Sequence, residues 1–229
     1  MCRRPNLNDI ILFARRSYFF HLGIKWGINE SNADRIVIRT EKALINSGLF
    51  NLPGKKNLYQ SQNEIETVAV DVSEHEIERP QKKQKKYYSG KQKYHTIKSQ
   101  VLADTKSTEI ICTAFSNGKT HDFSLFKKSK LRMNEELELL GEKGYQGIKK
   151  IHTNSRTPLK KIKNKKLTQA EKVLNWQLAK DRIIIENIHR SLNIFRILSS
   201  KYRHRRRRFG LRFNLIAGIY NYELYLKTN

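Results

Sequence analysis

Negative charge is scarce in this chain. Aspartate and glutamate total 21 against 46 lysines and arginines in 229 residues, a formal net charge of +25. Such an imbalance says little about fold and much about partners. A polyanion is required, and counterion release on phosphate neutralisation makes nucleic acid the first candidate. Cysteine is nearly absent. Cys2 and Cys112 form neither a CxxC pair nor a zinc spacing, which excludes a disulfide framework and fits a reducing compartment. Long apolar runs are missing as well. The stretch at residues 10–14 is too short for a signal peptide and runs into Arg15-Arg16. No stretch reaches the roughly 18 residues of a membrane span. The expectation is a soluble intracellular protein without membrane contact. An apolar share of 38% still suffices for a packed core, and the length allows one domain with a small accessory region.

Within this basic background the pattern changes along the chain. Residues 8–47 read as helical, with Gly27 breaking the run. Ser31 is a candidate N-cap with Asp34 three residues on. Ala33, Ile36, Val37, Ala43 and Leu44 form an inward stripe at helical spacing. Arg35, Arg39 and Lys42 lie on the opposite side, and Gly48 is a C-terminal stop. Helix, turn and second helix with outward basic residues outline a helix-turn-helix that could contact DNA.

Leu52-Pro53-Gly54-Lys55-Lys56 marks a turn. The expected organisation is a helical DNA-binding region at 1–52, a linker at 53–65 and a catalytic domain at 66–226. After the linker, residues 67–72 read as a buried strand carrying Asp71. Residues 79–98 hold eight Lys/Arg and no acid, with Tyr87, Tyr88 and Tyr94 interleaved. They suggest a basic loop or hairpin leading into a strand near 95–103. Strand 110–115 and a short helix at 121–128 follow. A short fourth strand spans 138–142 and closes on Lys143-Gly144-Tyr145-Gln146-Gly147. A possible fifth strand lies at 158–162. A helix runs from Thr168, capped by Glu171, to about residue 198, and a last helix covers 215–226 after a cationic run.

Three strands, a helix, a fourth strand and later helices are the element order of an RNase H-like α/β domain, a mixed five-stranded sheet flanked by helices. In that order Asp71, Glu142 and Glu186 fall where acids converge on one sheet edge. Carboxylates on rigid elements suit hard divalent cations, and Mg²⁺ favours oxygen ligands. Two such ions about 4 Å apart serve phosphodiester cleavage and strand transfer. Asp122 is a rival for the site, although N-capping of a helix explains it. Asp104 sits in a connecting loop.

Along the helix bearing Glu186, Arg182, His189, Arg190 and Asn193 share its side. Arg79, Lys86, Tyr88, Lys91, His95 and Lys98 are the DNA-contact candidates of the basic segment. Arg205 and Arg206 are those of the cationic run, which reads as a phosphate clamp.

These landmarks resemble the IS5-type insertion-sequence transposases of the DDE superfamily. The matching residues are Tyr18 to Ile36, Leu52 to Lys56, Val70-Asp71-Val72, Arg79-Pro80-Gln81, Tyr87 to Lys91 and His95 to Lys98. His121-Asp122, Lys143 to Gly147, and Arg182 with Glu186 complete them. The resemblance implies a cytoplasmic, nucleoid-associated bacterial transposase with a helix-turn-helix and an RNase H-like catalytic core. Its catalytic and metal-binding acids would be Asp71, Glu142 and Glu186, holding two Mg²⁺ or Mn²⁺ ions. Its partners would be double-stranded DNA, at element ends and target, bound by a homodimer or higher oligomer. Two positions depart from the family. Glu142 stands where aspartate is usual, and Asn193 where lysine is frequent. These departures imply, as the alternative, a remnant that binds DNA without cutting it.

Overall fold

The computed structural model describes residues 19–60, 65–161 and 166–228. Expectations resting on residues 8–18 or on Ile162 lie outside this range. The chain divides into two compact units. One comprises the described residues up to 51, residues 75–78 and those from 191 onward; the other comprises 52–74 and 79–190.

The second unit is built on a five-stranded sheet. Its strands are β1 (Thr67–Glu76), β2 (Thr96–Asp104), β3 (Ile110–Asn117), β4 (Glu138–Leu140) and β5 (Ser155–Arg156), in the spatial order β3-β2-β1-β4-β5. β2 and β3 are antiparallel, whereas β4 runs parallel to both β1 and β5. This mixed order is RNase H-like, as the sequence led us to expect. Alternation assigns the faces. Val68 and Val70 pack with Leu102, Ile111, Phe126, Leu139, Tyr145 and Ile148 in one buried cluster. Each such side chain contributes about 1.5–3 kcal/mol relative to exposure. Asp71 has the opposite parity on β1.

Two short helices and one long one complete the unit. Gln84–Tyr87 (α3 in chain order) lies in the basic segment, α4 is Asp122–Ser129, and α5 is Gln169–Asn193. The basic segment closes as a hairpin, with Tyr88 bridged to His95 and Ser89 N–H donating to Tyr94 carbonyl at 2.9 Å. Thr168 and Glu171 form the expected capping box, with the Glu171 carboxylate accepting from Thr168 N–H at 2.7 Å.

Three expectations need correction here. The fifth strand is Ser155–Arg156, ahead of 158–162. Its position follows from Arg156, whose guanidinium meets Glu138 at 2.6 Å and Asp181 at 3.0 Å. Pro158, lacking an N–H, cannot donate to a ladder. Residues 53–60 are no free linker: Leu58 is buried in the sheet's core, and Gly54 N–H donates to Ile111 carbonyl at 2.9 Å. The long helix stops at Asn193, and a separate turn, α6 (Arg196–Ser199), follows.

The first unit is helical. Helix α1 (Phe19–Trp26) turns into α2 (Glu30–Asn46). Gly23 is needed at that corner, because a Cβ there would sit 2.6 Å from the Ile28 carbonyl. The N-cap of α2 is Asn29, not Ser31: its side chain accepts from Asn32 N–H at 2.8 Å. The buried stripe is Ala33, Val37 and Glu41, while Ala43 is exposed. A carboxylate takes the third core position because Arg212 meets it at 2.6 Å and Arg208 at 3.0 Å. Both arginines belong to the C-terminal segment. Arg212 lies in α7 (Phe209–Thr228), which starts six residues earlier than the sequence suggested. Phe50 also packs edge-on to Tyr222, with ring centroids 5.3 Å apart. Residues beyond 191, expected within the catalytic region 66–226, therefore pack with the N-terminal helices. No helix among the described residues is long and apolar enough to cross a membrane.

Candidate active site

Register brings the first two acids together. β1 and β4 are parallel, with Ala69 opposite Leu140. Extending that pairing by two residues sets position 142 beside position 71, with the same side-chain parity. The strand stops at Leu140, two residues short of the expected 142, and Glu142 follows it in extended backbone just before a single 3-10 turn, Lys143–Tyr145. Gly144 makes room: a Cβ there would lie 3.0 Å from Glu142 Oε1 and 3.4 Å from an Asp122 oxygen. Asp122 and Glu142 thus flank one glycine.

Helix α5 supplies the third acid and two nitrogens. Arg182, Glu186 and His189 follow each other at helical spacing. Arg182 Nη2 lies 3.7 Å from Asp71 Oδ1, and His189 Nε2 lies 3.5 Å from Asp71 Oδ2. Burial drives the His189 pKa down to about 4, with Arg182 adding to the effect. The imidazole is therefore neutral near pH 7, and its approach to Asp71 is not an ion pair. Glu186 itself is exposed.

The electrostatics is one-sided. Burial raises the Asp71 pKa, Arg182 and a hydrogen bond from Val72 N–H oppose it, and Asp122 and Glu186 raise it further. Glu142 is raised first by burial and then by Asp71; Asp122 adds to this, while Arg182 and Lys91 pull the other way. Tyr145, fully buried, is raised by burial and by Asp71, Asp122 and Glu142. Asp71 and Glu142 are less willing to ionise because of burial first and neighbouring acids second, and that is the field a cation would relieve.

Polar capacity is also left over. Arg182 Nε, His189 Nε2 and the Tyr145 hydroxyl are buried without a hydrogen-bond partner among the described residues. An unmet buried polar group costs about 1–3 kcal/mol, so a site holding three of them is built for something else to complete. Hard oxygen donors, mutual repulsion and orphaned polar atoms fit a divalent cation beside phosphate. No group of three or more His, Cys, Asp and Glu side chains among the described residues is gathered tightly enough to close on an ion. The acids share a field rather than a finished coordination shell.

Asp122 carries more than the sequence suggested. His121, not Asp122, holds the N-cap position of α4. The Asp122 carboxylate instead accepts from Lys98 Nζ at 2.7 Å, and Lys98 also lies 3.5 Å from Glu74. Lys98 is 7% exposed. This corrects its assignment as a DNA contact, since the ammonium is spent on two internal carboxylates. Arg182 and His189 face Asp71 inside the site. Asp104 caps its own turn by accepting from Lys106 and Ser107 N–H.

The remaining basic candidates lie outside. Arg35, Arg39, Lys42, Arg79, Lys86, Tyr88, Lys91, Arg190, Arg205 and Arg206 are exposed, and His95 is half-buried against the Tyr88 ring. Arg79 donates to Gln84 and Arg190 to Asn187.

Comparison with known proteins decides the family. Residues 70–221, which include all four acids, match the model described as DDE superfamily endonuclease. The chain belongs to the DDE superfamily of endonucleases. It is also 50% identical over 233 residues to the probable transposase for insertion sequence element IS702 of Microchaete diplosiphon. That alignment covers 99% of this chain and 84% of the relative. Among solved structures, the Mos1 mariner paired end complex with Mn aligns at 9% identity with a TM-score of 0.24. It covers 98% of this chain and 78% of that one. At that score the likeness bears no weight, and the fold of this DDE endonuclease rests on its own strand order. Membership in the DDE superfamily points to the use of divalent metal ions.

Proposed function

We propose that this DDE endonuclease is an insertion-sequence transposase that cuts the element's ends and joins them to target DNA. The observation that carries the reading is the shared field of Asp71, Glu142 and Glu186 around buried, unpartnered Arg182 and His189 nitrogens. Family membership and the IS702 relative support it. Asp71, Glu142 and Glu186 are assigned as the metal-holding acids. Two Mg²⁺ or Mn²⁺ ions there would activate the attacking oxygen and stabilise the leaving one.

The chain's own groups do the rest. Arg182, at 3.7 Å from Asp71, can turn its free Nε–H toward a phosphate oxygen. Neutral His189 and the Tyr145 hydroxyl can each take a hydrogen bond from water or substrate. In the first step water breaks a phosphodiester at the element end and frees a 3′ hydroxyl. In the second, that hydroxyl attacks a target phosphodiester and releases a 3′ oxygen, so one ester replaces another. Residues 1–52 are assigned to recognition of element DNA through Arg35, Arg39 and Lys42, with the protein acting as a dimer or higher oligomer.

Glu142 supports a second reading. Its extra methylene relative to aspartate shifts the carboxylate by about one bond, and ångström-scale misplacement can cost on the order of 100-fold in rate. The test is cleavage of end-bearing DNA with Mg²⁺ or Mn²⁺ by this chain and by Glu142→Asp. Equal, robust cutting supports the transposase as it stands. Cutting by the variant alone supports a DNA-binding remnant. If neither cuts, the catalytic assignment is wrong.

A further inference from the structure

The first unit holds a cavity of about 480 Å³ that the cutting chemistry does not use. One wall is the segment leading into α7, with Arg203, Arg205, Arg207, Arg208 and Arg212 in the lining. The other is the first turns of α2, through Glu30, Ser31 and Asp34. Five arginines outnumber the two carboxylates of the lining. His204 also lines the cavity, but burial and Arg212 push its pKa down to about 4, so it adds no charge near pH 7.

The floor of this cavity is fixed. Arg212 is 5% exposed and donates to Glu41 Oε1 at 2.6 Å, and Arg208 donates to Glu41 Oε2 at 3.0 Å. Arg212 also donates to the Tyr202 hydroxyl at 3.3 Å. A guanidinium has five N–H donors, so these bonds orient each fork and leave donors over. Arg205 and Arg207, exposed in the wall, form no ion pair among the described residues. Glu30 and Ser31, the first residues of the 17-residue α2, share the lining, and that helix end carries partial positive charge. Two oriented arginines, two exposed arginines and a helix N-terminus in one lining match the planar, bidentate recognition of phosphate oxygens.

We infer that this cavity is a phosphate-binding site in which Glu41 holds Arg208 and Arg212 in position while Arg205 and Arg207 close on the anion. The ligand class is a phosphate ester, and the source we assign is the backbone of DNA bound for transposition. The inference rests on the proposed function for its source, but the site itself does not need DNA cutting. Glu30 and Asp34 at the opposite wall set its selectivity. They repel an unfocused polyanion and admit a phosphate only where the arginines outweigh them.

The test uses the full chain and pyrophosphate as probe, followed by a short DNA duplex. Pyrophosphate should bind by calorimetry, and Arg205→Gln with Arg207→Gln should weaken it roughly tenfold or more. The same two-charge loss at exposed Lys149→Gln with Lys150→Gln should leave it unchanged. On duplex DNA the arginine variant should lower the salt slope of log K by about two contacts' worth, near 0.9 each. No pyrophosphate binding, or equal loss in the arginine and lysine variants, overturns the site. Pyrophosphate binding lost in the arginine variant without any change in the DNA salt slope overturns DNA as the source. Cleavage is read separately: a site that binds in a chain that cannot cut leaves this inference standing and removes the transposase reading. Glu41→Gln, where it folds, should weaken pyrophosphate without removing any lining charge.

Discussion

Two buried carboxylate settings in this molecule have opposite accounts. Glu41, in the helical unit, faces two guanidinium groups at 2.6 and 3.0 Å. Asp71, on the sheet, faces one at 3.7 Å together with a neutral histidine and further acids. Glu41 is over-supplied with positive charge and Asp71 under-supplied. A paired buried carboxylate organises structure, because removing one partner strands the other. An unpaired group of acids costs stability and is retained for what it can bind. Asp122 lies between the two cases. It is tied to Lys98 at 2.7 Å, yet it also raises the pKa of Asp71 and Glu142.

The sharpest way to break the comparison is Asp71→Asn. Cleavage should fall about a thousandfold, by analogy with the loss of one electrostatic stabiliser. Stability in urea should hold or rise, because the amide relieves burial and repulsion. A clear loss of stability would show Asp71 to be a structural acid after all. Next comes Glu41→Gln. It leaves Arg212 buried and half-paired, and about 3 kcal/mol of unfolding free energy should be lost. A loss under about 1 kcal/mol would mean water replaces the pair.

Asp122→Asn should cost roughly 2 kcal/mol, since Lys98 retains only Glu74 at 3.5 Å. If that variant keeps its stability and loses cleavage instead, Asp122 belongs with Asp71 and not with Glu41. The last test reads a slope. His189 binds its proton at about 4 in the folded state against 6.5 as its ordinary value. The unfolded chain therefore takes up a proton that the folded chain refuses. Stability from this group is complete above 6.5 and falls as pH drops toward 4, by up to about 1.4 kcal/mol per pH unit. Asp71 and Glu142, with raised folded pKa values, act in the other direction and stabilise the fold more as they protonate. Measured between pH 6.5 and 4, the slope of stability should flatten in His189→Asn, leaving the share of His204, which shifts the same way. An unchanged slope would place the His189 ring in contact with water.

Several elements were legible because their signals are local. The Thr168–Glu171 capping box needs only a hydroxyl and a carboxylate three residues apart. Strands 67–72 and 110–115 announced themselves as apolar runs, though each continues further, to Glu76 and Asn117. The hairpin of the basic segment followed from Ser89-Gly90. Other elements were misread because partners distant in sequence decide them. β5 is only two residues long, and it is a strand because Arg156 finds Glu138 and Asp181. Lys98 reads as a surface lysine until Asp122 and Glu74 enclose it. Glu41 had no place in the expected helix stripe, and it is buried because Arg208 and Arg212 arrive from a segment about 170 residues later in the chain.

What the sequence by itself determined is the set of chemical types and their periods: a basic chain, apolar strands, capped helices, and acids at Asp71, Glu142 and Glu186 in the order of a DDE endonuclease. Periodicity places a residue on a face, and composition states which partner its charge requires. Only the tertiary structure decided which charges cancel. Coulomb attraction depends on distance and burial, neither of which is local to the chain. Parallel pairing of β1 with β4 set Glu142 beside Asp71, the turn of α5 brought a neutral His189 rather than a second cation, and Lys98 was withdrawn from the surface to hold Asp122. The acids left unbalanced by that outcome are the ones we propose for a metal ion.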